Sequence, residues 1–455
     1  MLLAIAVVRS RNRAHAPRDR YRRGTLLADG RRSQRLALRT GHLRVAGVAI
    51  PYLDEMKHFK IVGTTGTGKS TAIRDLLARA IARGDRAVFA DPDGGYLAAF
   101  YDRGRGDVVL NPFEPNSVKW DPFSEIRNAY DVNELASSLI PASADPSSSE
   151  WRGYARTLLA AVIGRCHADP RRGTANLWRL LTMAPVDELR KIVAGTPAQP
   201  FVEPENARMF GSIRSVMGSA IAAIEYIQAQ RARPFSVRDW VRARESSGVL
   251  FVPYKAGQVQ ALRSMIATWI RLALFEAMSL EENRDQRLWF VVDELDALGE
   301  IHGLKDALAR LRKFGGRCVL GFQSIAQVSA TYGQGEAHTL VENCGNTLIL
   351  RCSGSENGGT SQFASRLIGD REVARRQVTR GRDRGAALFS RGDRSSRSVS
   401  DQFVTEAAVL PSELEQLPDL CGYFKGASSP LWLKVSFGRR RGGPSTRALR
   451  RLIEP

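Results

Sequence analysis

The sequence predicts an α/β fold, a mostly parallel sheet with helices on its faces, interrupted by an all-helical insertion. Three observations predict it. Short apolar runs alternate with amphipathic stretches up to residue 115 and again from residue 245. Between them strand signals vanish, and helical runs are separated by Pro-, Ser- and Gly-containing breaks. A glycine-rich loop, Gly63 to Thr71, follows one apolar run and opens a helix. A chain of 455 residues has room for several domains and large cores.

Residues 1–42 are basic and low in periodicity, and are expected to be juxtamembrane or mobile. Leu2 to Val8 is apolar and is followed by Arg9, Arg11, Arg13, Arg18, Arg20, Arg22 and Arg23. That order is found where a membrane helix enters the cytoplasm. So short a run cannot cross a bilayer alone, and a signal peptide would carry its basic residues first. Residues 43–115 read as the first part of a nucleotide-binding domain. Leu43 to Leu53 supplies short strands, Phe59 to Val62 a buried strand, and Ser70 to Arg83 a helix. Arg86 to Asp91 is a second buried strand, ending in Asp91-Pro-Asp93-Gly94-Gly95. Asp91 or Asp93 therefore either lies near a ligand at the sheet's carboxyl edge or only builds the turn. Asp107 to Leu110 is one more short strand.

Residues 116–244 read as the all-α domain, with helices over Trp151 to Cys166, Asn176 to Met183 and Met209 to Gln230. Pro141 to Ser149 is expected to be a flexible linker. Residues 245–437 form the second part of the nucleotide-binding domain. Its strands fall at Gly248 to Val252, Arg287 to Val292, Arg317 to Phe322 and Thr347 to Cys352, and its helices at Gln258 to Met278 and Ile301 to Phe314. Arg366 to Arg397, rich in Arg, Gly and Ser, is expected to be irregular. Phe403-Val404, Gly422 to Lys425 and Leu431 to Phe437 are candidate edge strands, and residues 438–455 a basic disordered tail.

The chemistry concentrates in three stretches. Gly63-Thr64-Thr65-Gly66-Thr67-Gly68-Lys69-Ser70-Thr71 fits the phosphate-loop pattern in full. Its glycines let backbone N–H groups converge on phosphates, Lys69 reaches the β- and γ-phosphates, and Ser70 holds Mg²⁺. The apolar run Leu288 to Val292 delivers Asp293 and Glu294 to a strand end. Asp293 is placed to bind Mg²⁺ opposite Ser70, and Glu294 to orient and polarise the attacking water. Gln323 ends the next strand, where an amide can contact the γ-phosphate or the water. Arg310, Arg312 and Lys313 lie on the intervening helix, and Arg351 ends a further strand; either set can supply an arginine to a neighbouring subunit's site.

Composition narrows the partners. Lys and Arg total 67 against 47 Asp and Glu, a net +20 that favours a polyanion: nucleic acid or an anionic membrane surface. Five cysteines form no C-x-x-C pair and six histidines show no metal-ligand spacing, which argues against a zinc site or a disulfide framework and for reduced thiols.

With these residues in hand, the chain resembles the TraD-like type IV coupling proteins of bacterial conjugation, within the wider FtsK-like translocase group. The resemblance spans Leu43 to Phe437 and rests on Gly63 to Ser70, Asp91-Pro-Asp-Gly94, Asn111-Pro-Phe113 with Trp120-Asp-Pro-Phe123, Asp293-Glu294-Leu295, and Gln323-Ser-Ile-Ala-Gln327. It implies a RecA-like P-loop NTPase domain interrupted by an all-α domain, using ATP and Mg²⁺. It further implies a hexamer at the cytoplasmic face of the bacterial inner membrane, which brings a relaxase-bound DNA strand to the type IV secretion channel. By that pattern Lys69, Ser70, Asp293, Glu294 and Gln323 carry the nucleotide chemistry, and Arg312 is the arginine supplied in trans. The strand preference, single- or double-stranded DNA, stays open. The chain departs from the pattern in its membrane helices, of which only Leu2 to Val8 can be a remnant, and in the acidic C-terminal extension of some members. A DNA-partition translocase with the same core and a nucleotide-switched docking adaptor without motor activity are the competing readings.

Overall fold

Runs of β-branched and aromatic residues bounded by turn formers set the strands. The computed structural model describes residues 20–30, 43–142, 145–169, 173–355, 358–383 and 394–438. The expectations for Leu2 to Arg18 and for the tail beyond Gly438 lie outside the described residues. In chain order the strands are β1 (Arg20–Gly24), β2 (Leu26–Asp29), β3 (Leu43–Val45), β4 (Val48–Ile50), β5 (Phe59–Val62), β6 (Arg86–Pro92), β7 (Val108–Val109) and β8 (Lys119–Trp120). They continue with β9 (Pro234–Phe235), β10 (Val249–Tyr254), β11 (Leu288–Val292), β12 (Gly316–Phe322), β13 (Asn346–Ile349), β14 (Asp370–Asp383), β15 (Arg394–Ala407), β16 (Cys421–Lys425) and β17 (Leu431–Ser436).

Ten strands make the central sheet, in the order β2-β17-β16-β13-β5-β12-β11-β6-β10-β7. Only β16 runs against the others. Every residue of β5, β10, β11 and β12 is buried, as a parallel sheet covered on both faces requires. Alternate residues feed two cores. Phe59, Phe89, Phe251, Trp289 and Val319 pack on the helix Lys69–Ala82 through Ile73, Leu76 and Leu77. Val88, Leu250, Phe290 and Leu320 share the other core with Leu262, Ile266 and Ile270 of the long helix Ala256–Ser279. That core runs on into the helical part through Leu135, Leu158, Val162 and Ile213, so sheet and helices are packed as one body on this side.

Between Trp120 and Pro234 all described elements are helical, including Ala129–Leu139, Pro146–Ala168, Thr174–Thr182 and Ala207–Ala220. The entry and exit of this part meet where β8 pairs in parallel with β9, a small strand pair inside the stretch expected to be helical. Glu125 closes the junction. Its buried carboxylate accepts from Trp120 Nε1 (2.9 Å), Ser236 Oγ (3.0 Å) and the backbone N–H groups of Val237 (2.7 Å) and Arg238 (3.0 Å). Arg238 then pairs with Asp131 of the first insertion helix.

Three further expectations are corrected. Pro146 to Ser149 is not linker but the first turn of a 23-residue helix, because Asp145 caps it on the Ser148 N–H and proline is tolerated at its first position. Arg20 to Asp29 forms β1 and β2, which pair with β14 and β17. Asp370–Asp383 and Arg394–Ala407 pair as a long antiparallel ribbon, β14 and β15, where irregular chain was expected over Arg366 to Arg397; Phe403-Val404, expected as a strand, lies within β15. The ribbon's arginines and serines hide an alternation that only cross-strand pairing reveals. Glu125→Ala leaves four donors without their acceptor in a dry site and is expected to cost about 3 kcal/mol, read as a lower unfolding temperature of the full chain.

Candidate functional site

Because the strands are parallel, β5, β6, β10, β11, β12 and β13 all end on one edge, where their loops converge. β5 delivers the phosphate loop. Gly66 (φ 77°) and Gly68 (φ 112°) adopt left-handed backbone that a side chain would strain. The loop is tied down by its neighbours: Gly63 N donates to Phe322 O (3.3 Å) and Thr64 N to Arg351 O (2.9 Å). Leu420, itself left-handed at φ 62°, donates its N–H to Thr67 O (2.9 Å) and lays its side chain against Gly68.

Lys69 is buried and donates to the carbonyls of Gly63 (2.7 Å) and Thr64 (3.2 Å) within its own loop. Burial pulls its pKa down, while the carboxylates of Asp293 and Glu294 pull it back up. Ser70 Oγ donates to Asp293 Oδ2 at 2.5 Å. The other oxygen, Asp293 Oδ1, is buried without a hydrogen-bond partner. An orphan carboxylate oxygen beside a serine hydroxyl is the donor set a Mg²⁺–nucleotide requires, so the residues present fit the group. Gly321 of β12 permits this geometry, since a Cβ there would collide with the Asp293 carbonyl.

Glu294 stands next along the chain, half-buried; burial first, and then Asp293 and Asp296, push its pKa up. Gln323 lies between it and the loop. Thr65 Oγ1 donates to Gln323 Oε1 (2.7 Å), and Gln323 Nε2 donates to Glu294 Oε1 (3.3 Å). The structure thus brings Gly63 to Thr71, Asp293, Glu294 and Gln323 to one place. Arg312 is not among them. It is exposed in the turn Leu311–Phe314 ahead of β12, at the amino edge of the sheet, roughly 20 Å from the site by strand length. Arg351 is beside its own loop, paired to Asp419 (2.7 Å) and donating to Leu417 O (3.3 Å).

Asp91 builds the turn. It accepts from the N–H groups of Tyr96 (2.9 Å) and Leu97 (2.7 Å), and burial pushes its pKa up to about 6. The helix it caps carries a residue the sequence reading missed: Tyr96 OH donates to Asp293 Oδ2 (2.7 Å), the oxygen that Ser70 also contacts. Tyr96 is fully buried and stacks on Phe89 at 5.0 Å. Only its place three residues after Asp93, at the same strand edge, signalled it. Tyr254 and Asp296 were missed as well; each places a buried, unpartnered oxygen here.

Fold and site together define a RecA-like P-loop NTPase. A family model for the DNA-binding domain of type IV secretion-system coupling proteins matches residues 42–436. The coupling protein TraD of Escherichia coli (strain K12) is 31% identical over 390 residues, 84% of this chain and 52% of that protein. Among solved structures, the bacterial conjugative coupling protein TrwBdeltaN70 aligns with a TM-score of 0.81 and 31% identity, over 95% of this chain and 97% of that one. TrwB in complex with ADP and Mg²⁺ aligns with a TM-score of 0.81 and 30% identity, over 95% of this chain and 97% of that one. The chain belongs to the type IV secretion-system coupling proteins. It spans about half the length of TraD. Among the described residues no helix is long and apolar enough to cross a membrane.

Tyr96→Phe removes one of the two donors on Asp293 and keeps the buried ring. The Mg²⁺ concentration needed for fluorescent-nucleotide binding is expected to rise about ten-fold with folding intact; an unchanged Mg²⁺ requirement would make Tyr96 a packing residue only.

Proposed function

We propose that this chain is an ATP-hydrolysing coupling protein that brings DNA, with its relaxase, to a type IV secretion channel at the cytoplasmic face of the inner membrane and drives its transfer. The observation that carries the reading is the bridge Thr65–Gln323–Glu294 beside Ser70–Asp293. It places a carboxylate base within one amide of the phosphate loop. Backbone N–H groups of Gly63 to Ser70 and the Lys69 ammonium hold the β- and γ-phosphates. Lys69 leaves the loop carbonyls it now satisfies to do so. Ser70 and Asp293 would hold Mg²⁺, which would supply positive charge to neutralise the phosphates. Glu294 orients the attacking water and accepts its proton as the bond to the γ-phosphorus forms and the β–γ bridge breaks. Its raised pKa suits it to that task. Gln323 contacts both the loop and the base, so loss of the γ-phosphate is felt at β12.

The ADP- and Mg²⁺-bound TrwB structure supports the choice of nucleotide and metal for this chain. The net charge of +20 supports DNA as the cargo. Arg312, remote from its own site and exposed, is suited to act on a neighbour in a ring, here a hexamer; Arg351 is already engaged in its own subunit.

Steady-state ATP turnover, with and without single- or double-stranded DNA, tests the reading. DNA is expected to stimulate turnover, and Lys69→Ala to abolish it. Glu294→Gln should lower kcat by about 10²–10⁴-fold while nucleotide still binds. Absence of DNA stimulation, or DNA delivery that persists in Glu294→Gln, would favour an adaptor over a motor. Subunits carrying Arg312→Ala mixed with subunits carrying Lys69→Ala should recover part of the turnover, because an interface that joins the site of an Arg312→Ala subunit to the arginine of a Lys69→Ala subunit is intact. No recovery at any ratio removes Arg312 from that role.

A further inference from the structure

Most of the β14–β15 ribbon stands outside the packed body. Each strand has 14 residues, a reach of about 45 Å, and the sheet it forms with β1 carries ten arginines against five acidic residues. The acids near its base are already paired: Glu372 with Arg22 and Arg23, Glu406 with Arg371 and Arg375. Arg376 and Arg397, further out, are exposed.

Register shows what stands beside them. Ala374 faces Phe403, Arg376 faces Asp401, and Val378 faces Val399. Cross-strand partners and alternate residues share a face, so one face of the ribbon presents Arg376, Val378, Arg397, Val399 and Phe403, with one carboxylate, Asp401, opposite Arg376. Val378, Val399 and Phe403 are 39%, 44% and 57% exposed. Arg22 of β1 lies over the Phe403 ring at 4.3 Å and adds a cation to the same face. The opposite face reads Arg375, Gln377, Thr379, Ser398, Ser400 and Gln402 beyond the half-buried Val404 at its base, and is polar. The ribbon is therefore amphipathic across its two faces, with cations and apolar side chains interleaved on one.

We infer that this face rests on an anionic lipid surface. Cations interleaved with aliphatic side chains match headgroup phosphates above acyl chains. Nucleic acid would use the arginines but give Val378 and Val399 no partner, because aliphatic side chains offer no π-face for stacking, and one side of the Phe403 ring is already covered by Arg22. The chain enters the sheet at Arg20, opposite Ala374, directly after the apolar-then-arginine sequence Leu2 to Arg18. The inference extends the membrane placement proposed above by assigning a second, peripheral contact.

The test floats the full chain with vesicles of phosphatidylcholine alone or mixed with phosphatidylglycerol. Two double variants leave residues 1–19 and the nucleotide site untouched: Arg376→Gln with Arg397→Gln, and Val378→Ser with Val399→Ser. The wild-type chain should float only with the anionic vesicles, and each double variant should lower partitioning by on the order of ten-fold. Added salt should weaken wild type and the valine variant but add little to the arginine loss. Lipid-free ATP turnover should match wild type in both, which shows folding and separates failure of this inference from failure of the motor reading. The inference is overturned if wild type does not float, or if both variants float as well as wild type. It is also overturned if the variants keep flotation and lose DNA retention on filters, or keep flotation and shift the sedimenting mass; the face then binds nucleic acid or a second copy of the chain.

Discussion

Seven adjacent parallel strands buried on both faces leave ionisable groups few places to stand other than at strand ends. The two edges use that constraint differently. At the amino edge opposite charges pair: Arg83 bonds both Glu55 and Asp85, Trp289 Nε1 donates to Asp85 (2.8 Å), and Arg317 lies by Glu55 although its Nε and Nη2 make no hydrogen bond. At the carboxyl edge they do not. Asp293 Oδ1, Asp296 Oδ1 and Tyr254 OH are buried without partners, and Lys69 turns back on its own loop. Unpartnered carboxylate and hydroxyl oxygens gathered beside the phosphate loop mark where a charged ligand belongs. The exception inside the sheet fits the same rule: Lys60 of β5 is buried, and its ammonium donates to the carbonyls of Val341 (2.9 Å) and Cys344 (2.5 Å).

The helical part is not hung loosely on this sheet. The long helix Ala256–Ser279 begins two residues after the end of β10 and carries one face of the sheet's core into the insertion. Arg271 of that helix reaches Glu134 and Ser138, and Glu276 gathers Arg127, Arg238 and Arg242. With Glu125 closing the neck, a displacement at the ends of β10 and β11 has rigid, close-packed matter to push against. That is the physical basis on which the proposed hydrolysis at the sheet edge would be joined to the proposed work on DNA.

Most of the fold was legible because its strands are short apolar runs and its helices carry a clean period. That Asp293, Glu294 and Gln323 meet the phosphate loop was legible for a simpler reason: the loop opens after Val62, Asp293-Glu294 and Gln323 directly follow apolar runs, and parallel strands end together. Tyr96 was not. It reaches Asp293 only because Asp91 caps a six-residue helix and aims it there. The pairing of β14 with β15 is not legible, because composition counts arginines and serines without knowing which residue stands opposite which. Arg312 precedes Gln323 by the length of β12, which puts it at the opposite edge of the sheet from its own subunit's site.

By itself, then, the sequence determined the alternation of strand and helix, the phosphate loop and the acidic strand end, because those depend on local spacing and burial. Tertiary structure alone decided strand order, the Gln323 bridge, the second donor on Asp293 and the two-faced ribbon. Each of these depends on which residues meet across long separations in the chain, and no local pattern encodes that meeting.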